Sequence, residues 1–133
     1  MNSIAVDTNV LLYFLDDSLA EKRKTAAEII LKTPSFNSQS LSELINVLQR
    51  RWKYPKEKVL DTVANLLMVC KYVPLTESMI KRSFDLVKRY DFQMFDALIV
   101  ASALEANCTV LYSEDMHHDL LVEKQLRILN PFR

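Results

Sequence analysis

Glycine is absent from all 133 residues. The Walker P-loop and the dinucleotide G-x-G-x-x-G turn need glycine to bring backbone amides against phosphate, and the G-x-S-x-G nucleophile elbow needs it to turn sharply. All three are excluded together, so any phosphate this chain handles is held without a glycine-rich cradle. Cysteine is nearly as scarce. Cys70 and Cys108 fall in no metal-ligand or redox spacing and are expected as buried free thiols of a cytoplasmic protein. No apolar run reaches the roughly 18 residues of a membrane span, because Asp16, Asp17 and Lys32 interrupt the longest stretches. The opening MNSIAVDTN lacks the basic region and long apolar segment of a signal peptide. An excess of either charge is missing too, since 17 Lys and Arg balance 17 Asp and Glu.

What is present is an ordinary globular composition, 50% hydrophobic and 26% charged, at a length that fits one domain over residues 1–133. The charge is unevenly spread. Arg50, Arg51, Lys53, Lys56 and Lys58 crowd one stretch around Trp52 and Tyr54, and Lys81, Arg82, Lys88 and Arg89 crowd another. Each cluster reads equally well as a solvated helix face or as a contact for nucleic-acid phosphates.

Hydrophobic spacing predicts a short buried strand over residues 4–6, a buried helix over 10–15, a helix over 20–32 closed by Pro34, and a weak strand over 34–38. Ser40 is expected to cap a helix whose Leu41, Leu44, Ile45 and Leu48 share a face, with Glu43 completing a capping box. Further elements are a helix opened by Pro55, a strand over 72–75, a helix from a Thr76 cap to Arg89, a helix over 93–106, a strand over 109–112 and an edge-like strand over 126–129. Short apolar strands alternating with helices indicate an α/β domain on a parallel sheet.

Four acidic residues stand out against this frame. Asp7 directly follows "SIAV" and Asp115 follows "TVLYSE", so both lie at carboxyl ends of strands, the edge where parallel sheets bind ligands. Asp96 and Glu43 fall in first helical turns expected near that same rim. Each has a plain structural reading: Asp7 as a helix N-cap, Glu43 as the capping-box partner, Asp115 as a loop residue. Asp96 resists one best, because its helix is apolar nearly all round and a helix dipole offers about 0.3–1 kcal/mol against a desolvation cost of several. No basic neighbour in sequence pairs all four. Clustered carboxylates without a cation from the chain call for one from solution, and oxygen ligands favour Mg²⁺ or Mn²⁺ in metal-assisted phosphodiester hydrolysis.

The segments "AVDTNVLLYFL", "SLSELINVL", "FDALIVASALEANC" and "TVLYSEDMHHDL" occur in an order that resembles the PIN-domain family, and within it the VapC toxin ribonucleases of VapBC toxin–antitoxin systems. The likeness spans essentially the whole chain. It implies a three-layer fold, a short, mostly parallel sheet flanked by helices. It also implies Mg²⁺- or Mn²⁺-dependent endoribonuclease cleavage of structured RNA such as tRNA or rRNA, inhibition of translation, a cognate VapB-type antitoxin, and a homodimer. Asp7, Asp96 and Asp115 match metal ligands, and Glu43 matches the acid heading the third helix. Asn9 and Ser113 match polar supporting positions, and Arg50, Arg51 and Lys53 are candidate RNA contacts. The chain departs from the pattern after Asp115, where "HHDL" replaces a glycine or shorter turn. Asp119 reads equally as a fifth acid or a surface residue, and His117 and His118 as exposed loop residues.

Competing assignments fare worse. A phosphatase of the haloacid-dehalogenase type needs a second aspartate two residues after Asp7, where Asn9 stands. A receiver domain needs an acidic pair near strand one, and Asp7 has no acidic neighbour. The alternative from a different class is a non-catalytic PIN-like RNA-binding or interaction module, which has no reason to keep four mutually repelling carboxylates.

Overall fold

The computed structural model describes residues 3–133. Strand β1 (Ser3–Val6) sends Ala5 and Val6 to opposite faces of the sheet, as the two-residue strand period requires. Its end runs into helix α1 (Thr8–Leu15), whose Val10 and Leu11 are fully buried. Helix α2 (Ala20–Ile30), strand β2 (Ser35–Asn37), helix α3 (Ser38–Arg50), helix α4 (Lys56–Val69) and strand β3 (Lys71–Val73) follow. Helices α5 (Glu77–Tyr90) and α6 (Met94–Glu105) then cross to strand β4 (Cys108–Tyr112), and strands β5 (Leu121–Val122) and β6 (Leu126–Leu129) complete the fold.

The six strands lie in the order β3-β2-β1-β4-β6-β5, and all neighbours run parallel except the β5–β6 pair. Helices α1 to α4 cover one face, around Val6, Phe36, Leu44 and Leu48. Helices α5 and α6 cover the other, around Ala5, Leu111 and Ile128. This is the expected α/β architecture, a mostly parallel sheet between helical layers. Helix α6 is buried from Ala97 to Leu104 because sheet and neighbouring helices surround it, which is why its sequence shows no polar face. Both cysteines are buried and free, and burial pushes the Cys70 thiol up to about 11. Among the described residues no helix is long and apolar enough to cross a membrane.

Two local expectations are corrected. Helix α3 begins at Ser38 and is capped by Asn37, whose Oδ1 accepts the Ser40 N–H at 2.9 Å. Ser40 is thus an interior residue, and Glu43 sits in the second turn rather than in a capping box with it. Asparagine at the end of a buried strand won because it also donates to the Leu98 carbonyl at 3.3 Å, joining α3 to α6. The strand over 126–129 is not an edge. It pairs with β4 on one side and with β5, which the sequence did not announce, on the other.

The missing glycines leave a trace in the backbone. Thr33, Lys53, Asp91 and Asn107, each just past a helix, adopt left-handed φ values of 50, 56, 59 and 60°. Those are positions where glycine usually ends a helix without a Cβ penalty. Glu123 and Lys124 do the same in the β5–β6 connection, at 51 and 57°, where Asn-Gly would be the familiar pair.

Of these, Thr33 is β-branched and exposed, so its backbone strain has little tertiary return. Thr33→Gly is expected to stabilise the fold by about 1 kcal/mol, a rise of about 3–5 °C in thermal melting, despite glycine's greater unfolded freedom. Thr33→Ala, which keeps the Cβ, is the control and should give no such gain.

Candidate active site

The chain runs from β1 outward to β2 and β3 in one direction, then returns to place β4 on the opposite side of β1. Strand order therefore reverses between β1 and β4, and the crevice beyond their carboxyl ends is where an open parallel sheet offers a ligand site. Val6 is in register with Tyr112, so the residues that follow, Asp7 and Ser113, emerge side by side. The Asp7 N–H donates to the Tyr112 carbonyl at 2.9 Å, carrying the ladder one step past the strand.

Asp7 is only 5% exposed. Its Oδ1 accepts the Thr8 N–H at 2.7 Å, so it does cap α1, and its Oδ2 accepts the Ser113 hydroxyl, also at 2.7 Å. The cap and the crevice-facing acid are one residue. Burial raises its carboxyl from 3.8 to about 6. The hydrogen bonds from Ser113 and Thr8 oppose that rise, while the negative charges of Asp96 and Glu43 add to it.

The other three acids reach the same cleft from separate elements. Glu43, on α3, takes a 2.6 Å hydrogen bond from the Thr8 hydroxyl and a 3.1 Å bond from Gln39. Asp115, exposed on the loop after β4, accepts from Asn9 Nδ2 at 3.2 Å. Asp96 lies in the first turn of α6, half-buried, and no hydrogen bond or ion pair holds its carboxylate among the described residues. Burial, then the charges of Glu43 and Asp115, push its carboxyl above the ordinary range. All four line one open cleft of about 590 Å³, together with Thr8, Asn9, Tyr13, Arg51, Trp52 and Glu114. Among the described residues no lysine or arginine forms an ion pair with any of the four.

Supporting contacts fix the loop that carries Asp115. Ser113, fully buried, accepts the Met116 N–H at 3.3 Å while bonding Asp7. Asn9 Oδ1 accepts the Glu114 N–H at 3.3 Å, so one amide grips both halves of "ED". Glu114 is clamped by Lys22, 2.7 Å from its Oε2, and by the Tyr13 hydroxyl. Sequence reasoning passed over Glu114, Tyr13, Lys22 and Thr8. Only Thr8, a hydroxyl directly after Asp7, carried a local signal; the Lys22–Glu114 contact joins residues 92 positions apart.

The remaining candidates fall elsewhere. Asp119 turns to Arg127, with Oδ1 3.3 Å from Nη1. His118 Nδ1 accepts the Asn130 N–H at 2.9 Å, and His117 is exposed in a second recess that Asp96 and Asp115 also border. Arg51 reaches the main cleft, whereas Arg50 and Lys53 are exposed outside its lining. Among the described residues no three His, Cys, Asp or Glu side chains converge as a ready-made metal cage. Asp7, Asp96 and Asp115 are neighbours around a cleft, not a closed ligand set. Such dispersed, all-oxygen donors suit a hydrated cation such as Mg²⁺ better than one that demands a compact tetrahedral cage.

Comparison with known proteins decides the family. The PIN domain family matches residues 4–122. The chain belongs to it. No curated protein matches the sequence. Among solved structures, this PIN domain is similar to VapC20 of Mycobacterium tuberculosis, described as a sarcin–ricin-loop-cleaving toxin, at 21% identity and TM-score 0.69, over 85% of this chain and 90% of that one. It is also similar to a toxin–antitoxin complex from Klebsiella pneumoniae, at 16% identity and TM-score 0.71, over 98% of both chains. A third is FitAcB from Neisseria gonorrhoeae, at 15% identity and TM-score 0.66, over 97% and 98%. At these identities the structural likeness establishes the fold.

The raised carboxyl of Asp7 makes stability pH-dependent. The native protein keeps this proton up to about pH 6, whereas the unfolded chain releases it near 3.8. Between those values the native state binds more protons, so stability falls as pH rises, and above pH 6 the full penalty stands at about 3 kcal/mol. Asp7→Asn in chelator is therefore expected to melt higher than wild type at neutral pH, by about 1–3 kcal/mol after loss of the charge-assisted Ser113 bond. Its advantage should shrink by more than half near pH 4.5. Melting curves of both proteins across this range provide the check, and an advantage that grows on acidification would contradict the assignment.

Proposed function

We propose that this PIN domain is a Mg²⁺-dependent endoribonuclease, with Mn²⁺ able to substitute, and the toxin of a type II toxin–antitoxin pair. The observation that carries the reading is four carboxylates from four chain segments around one cleft at the β1–β4 reversal, with no lysine or arginine from the described residues paired to any of them. Burial raises the carboxyls of Asp7 and Asp96, and the charges of the neighbouring acids add to that rise in the metal-free protein. A folded domain has reason to keep such strain where a cation and a phosphate relieve it.

Asp7, Asp96 and Asp115 are the residues that hold the cation in this reading. A divalent cation held by these residues would supply positive charge for the scissile phosphate and would lower the pKa of a bound water. Glu43, oriented by the Thr8 hydroxyl, is the fourth catalytic acid. Ser113 keeps Asp7 in place, Asn9 keeps Asp115 in place, and Arg50, Arg51 and Lys53 contact RNA phosphates. Asp119, paired with Arg127, takes a supporting rather than a ligand role in this reading. Structured RNA is the substrate class, tRNA or rRNA, in keeping with the sarcin–ricin-loop cleavage stated for VapC20. A VapB-type antitoxin is the partner, in keeping with the toxin–antitoxin complex from Klebsiella pneumoniae among the similar structures, and the assembly in this reading is a cytoplasmic homodimer. The alternative, a PIN-like module that binds without cutting, leaves the strained carboxylates without a purpose.

Purified protein should cleave RNA with Mg²⁺ or Mn²⁺ and stop on addition of chelator, and Asp7→Asn and Asp96→Asn should each abolish cleavage. Equal cleavage by wild type and both variants over a panel of tRNA and rRNA would overturn the assignment. A second reading needs no RNA. Excess Mg²⁺ at about 100 times its dissociation constant should stabilise wild type by about 2.7 kcal/mol, whereas Asp96→Asn should respond far less. An equal melting response in both proteins would remove Asp96 from the ligand set.

A further inference from the structure

The cleft has a second wall. Glu43, Val47 and Arg51 recur at four-residue spacing and so form one stripe along α3 and its C-cap, all three lining the cleft. Glu43 heads the stripe, Val47 lies in the middle, and the backbone of Arg51 is about 12 Å from that of Glu43 along the helix axis. Trp52 follows Arg51 into the same cleft, and Leu12 of α1 lines it too. The indole is half-exposed and steadied by Tyr54, with ring centroids 5.7 Å apart. Among the described residues no hydrogen bond or ion pair holds the Arg51 guanidinium.

An aromatic face and a free cation along one strip, leading away from the carboxylates that face the scissile bond, match the alternation of base and phosphate in a single nucleic-acid strand. An apolar peptide would explain Trp52 and Leu12 but would leave the Arg51 guanidinium without a partner. A paired helix would explain the cation but not the indole, because bases within a duplex have both faces covered.

We propose that Trp52 is a stacking platform for an unpaired base close to the cut, with Arg51 on an adjoining phosphate, so that the RNA substrate must present an unpaired loop at this cleft. The inference rests on the ribonuclease reading for the direction of the strand, yet it can be tested without turnover. Trp52 is the sole tryptophan, so its fluorescence reports this wall alone.

In chelator, which prevents cleavage, wild type is titrated with three probes: an RNA hairpin with a mixed-sequence loop, the same hairpin with abasic loop positions, and the blunt duplex of its stem. Saturable quenching by the intact loop, with weak or no quenching by the other two, is expected. Trp52→Ala should weaken loop binding measured by anisotropy about five- to hundredfold, and Trp52→Phe should restore most of it. Arg51→Ala should lower the salt slope by about 0.7. Quenching that is equal for intact and abasic loops, or absent, overturns the platform even where Mg²⁺-dependent cleavage is intact. Loop-specific quenching in a protein that cuts no RNA supports the platform and overturns the ribonuclease reading instead.

Discussion

The fold buries the carboxylate of Asp7, and the rest of the cleft is arranged around compensating that burial. A carboxylate taken out of water is costly unless donors replace the lost hydration. Two do so: the first amide of α1 and the hydroxyl of Ser113. The first ties the acid to a helix start, and the second ties β1 to the segment after β4. The compensation is incomplete, since the carboxyl still titrates near 6. That shortfall makes the cleft a place where added positive charge is favourable.

Around this acid a set of hydroxyls and amides joins elements that share no backbone pairing. Thr8 connects α1 to Glu43 on α3, Asn37 connects the start of α3 to α6 near Asp96, and Asn9 connects α1 to Asp115. Each acid is therefore oriented from a neighbouring segment. Asp96 is the exception, with no such partner among the described residues, and it is held by the rigidity of a helix buried along most of its length. A freely available carboxylate on a stiff support is a good arrangement for a ligand that has to meet something other than protein. Lys22 neutralises Glu114, the acid next in line, and so keeps one further negative charge from adding to the repulsion.

Much of this was legible in the sequence. Strand ends before Asp7 and Asp115 follow from short apolar runs that stop at an acid, and the buried helix carrying Asp96 follows from a segment without a polar face. The helix start before Glu43 is not legible locally, because Ser40 and Glu43 mimic a capping box while the capping residue, Asn37, is fixed in part by the distant Leu98 carbonyl. Strand β5 was missed because its turn is made by Glu123 and Lys124 at positive φ, with none of the glycine or asparagine that marks such turns. Glu114 was overlooked for a related reason. Its partners Lys22 and Tyr13 come from far upstream, and only the pairing of β1 with β4 brings them together.

The pairing of β1 with β4 also has a consequence in time. Asp7 and Ser113 are 106 positions apart, so their bond closes a loop that includes most of the chain. Loop closure of that length costs about 4 kcal/mol in chain entropy beyond a constant, to be offset only once β4 is present to pair. Parallel pairing between such distant segments is intrinsically slow to form. As the chain leaves the ribosome, Asp7, Glu43 and Asp96 all emerge before the strand and loop that gather them around one cleft. A nascent chain thus carries three of the acids with no site to place them in. The four acids therefore share one cleft only after β4 has docked beside β1.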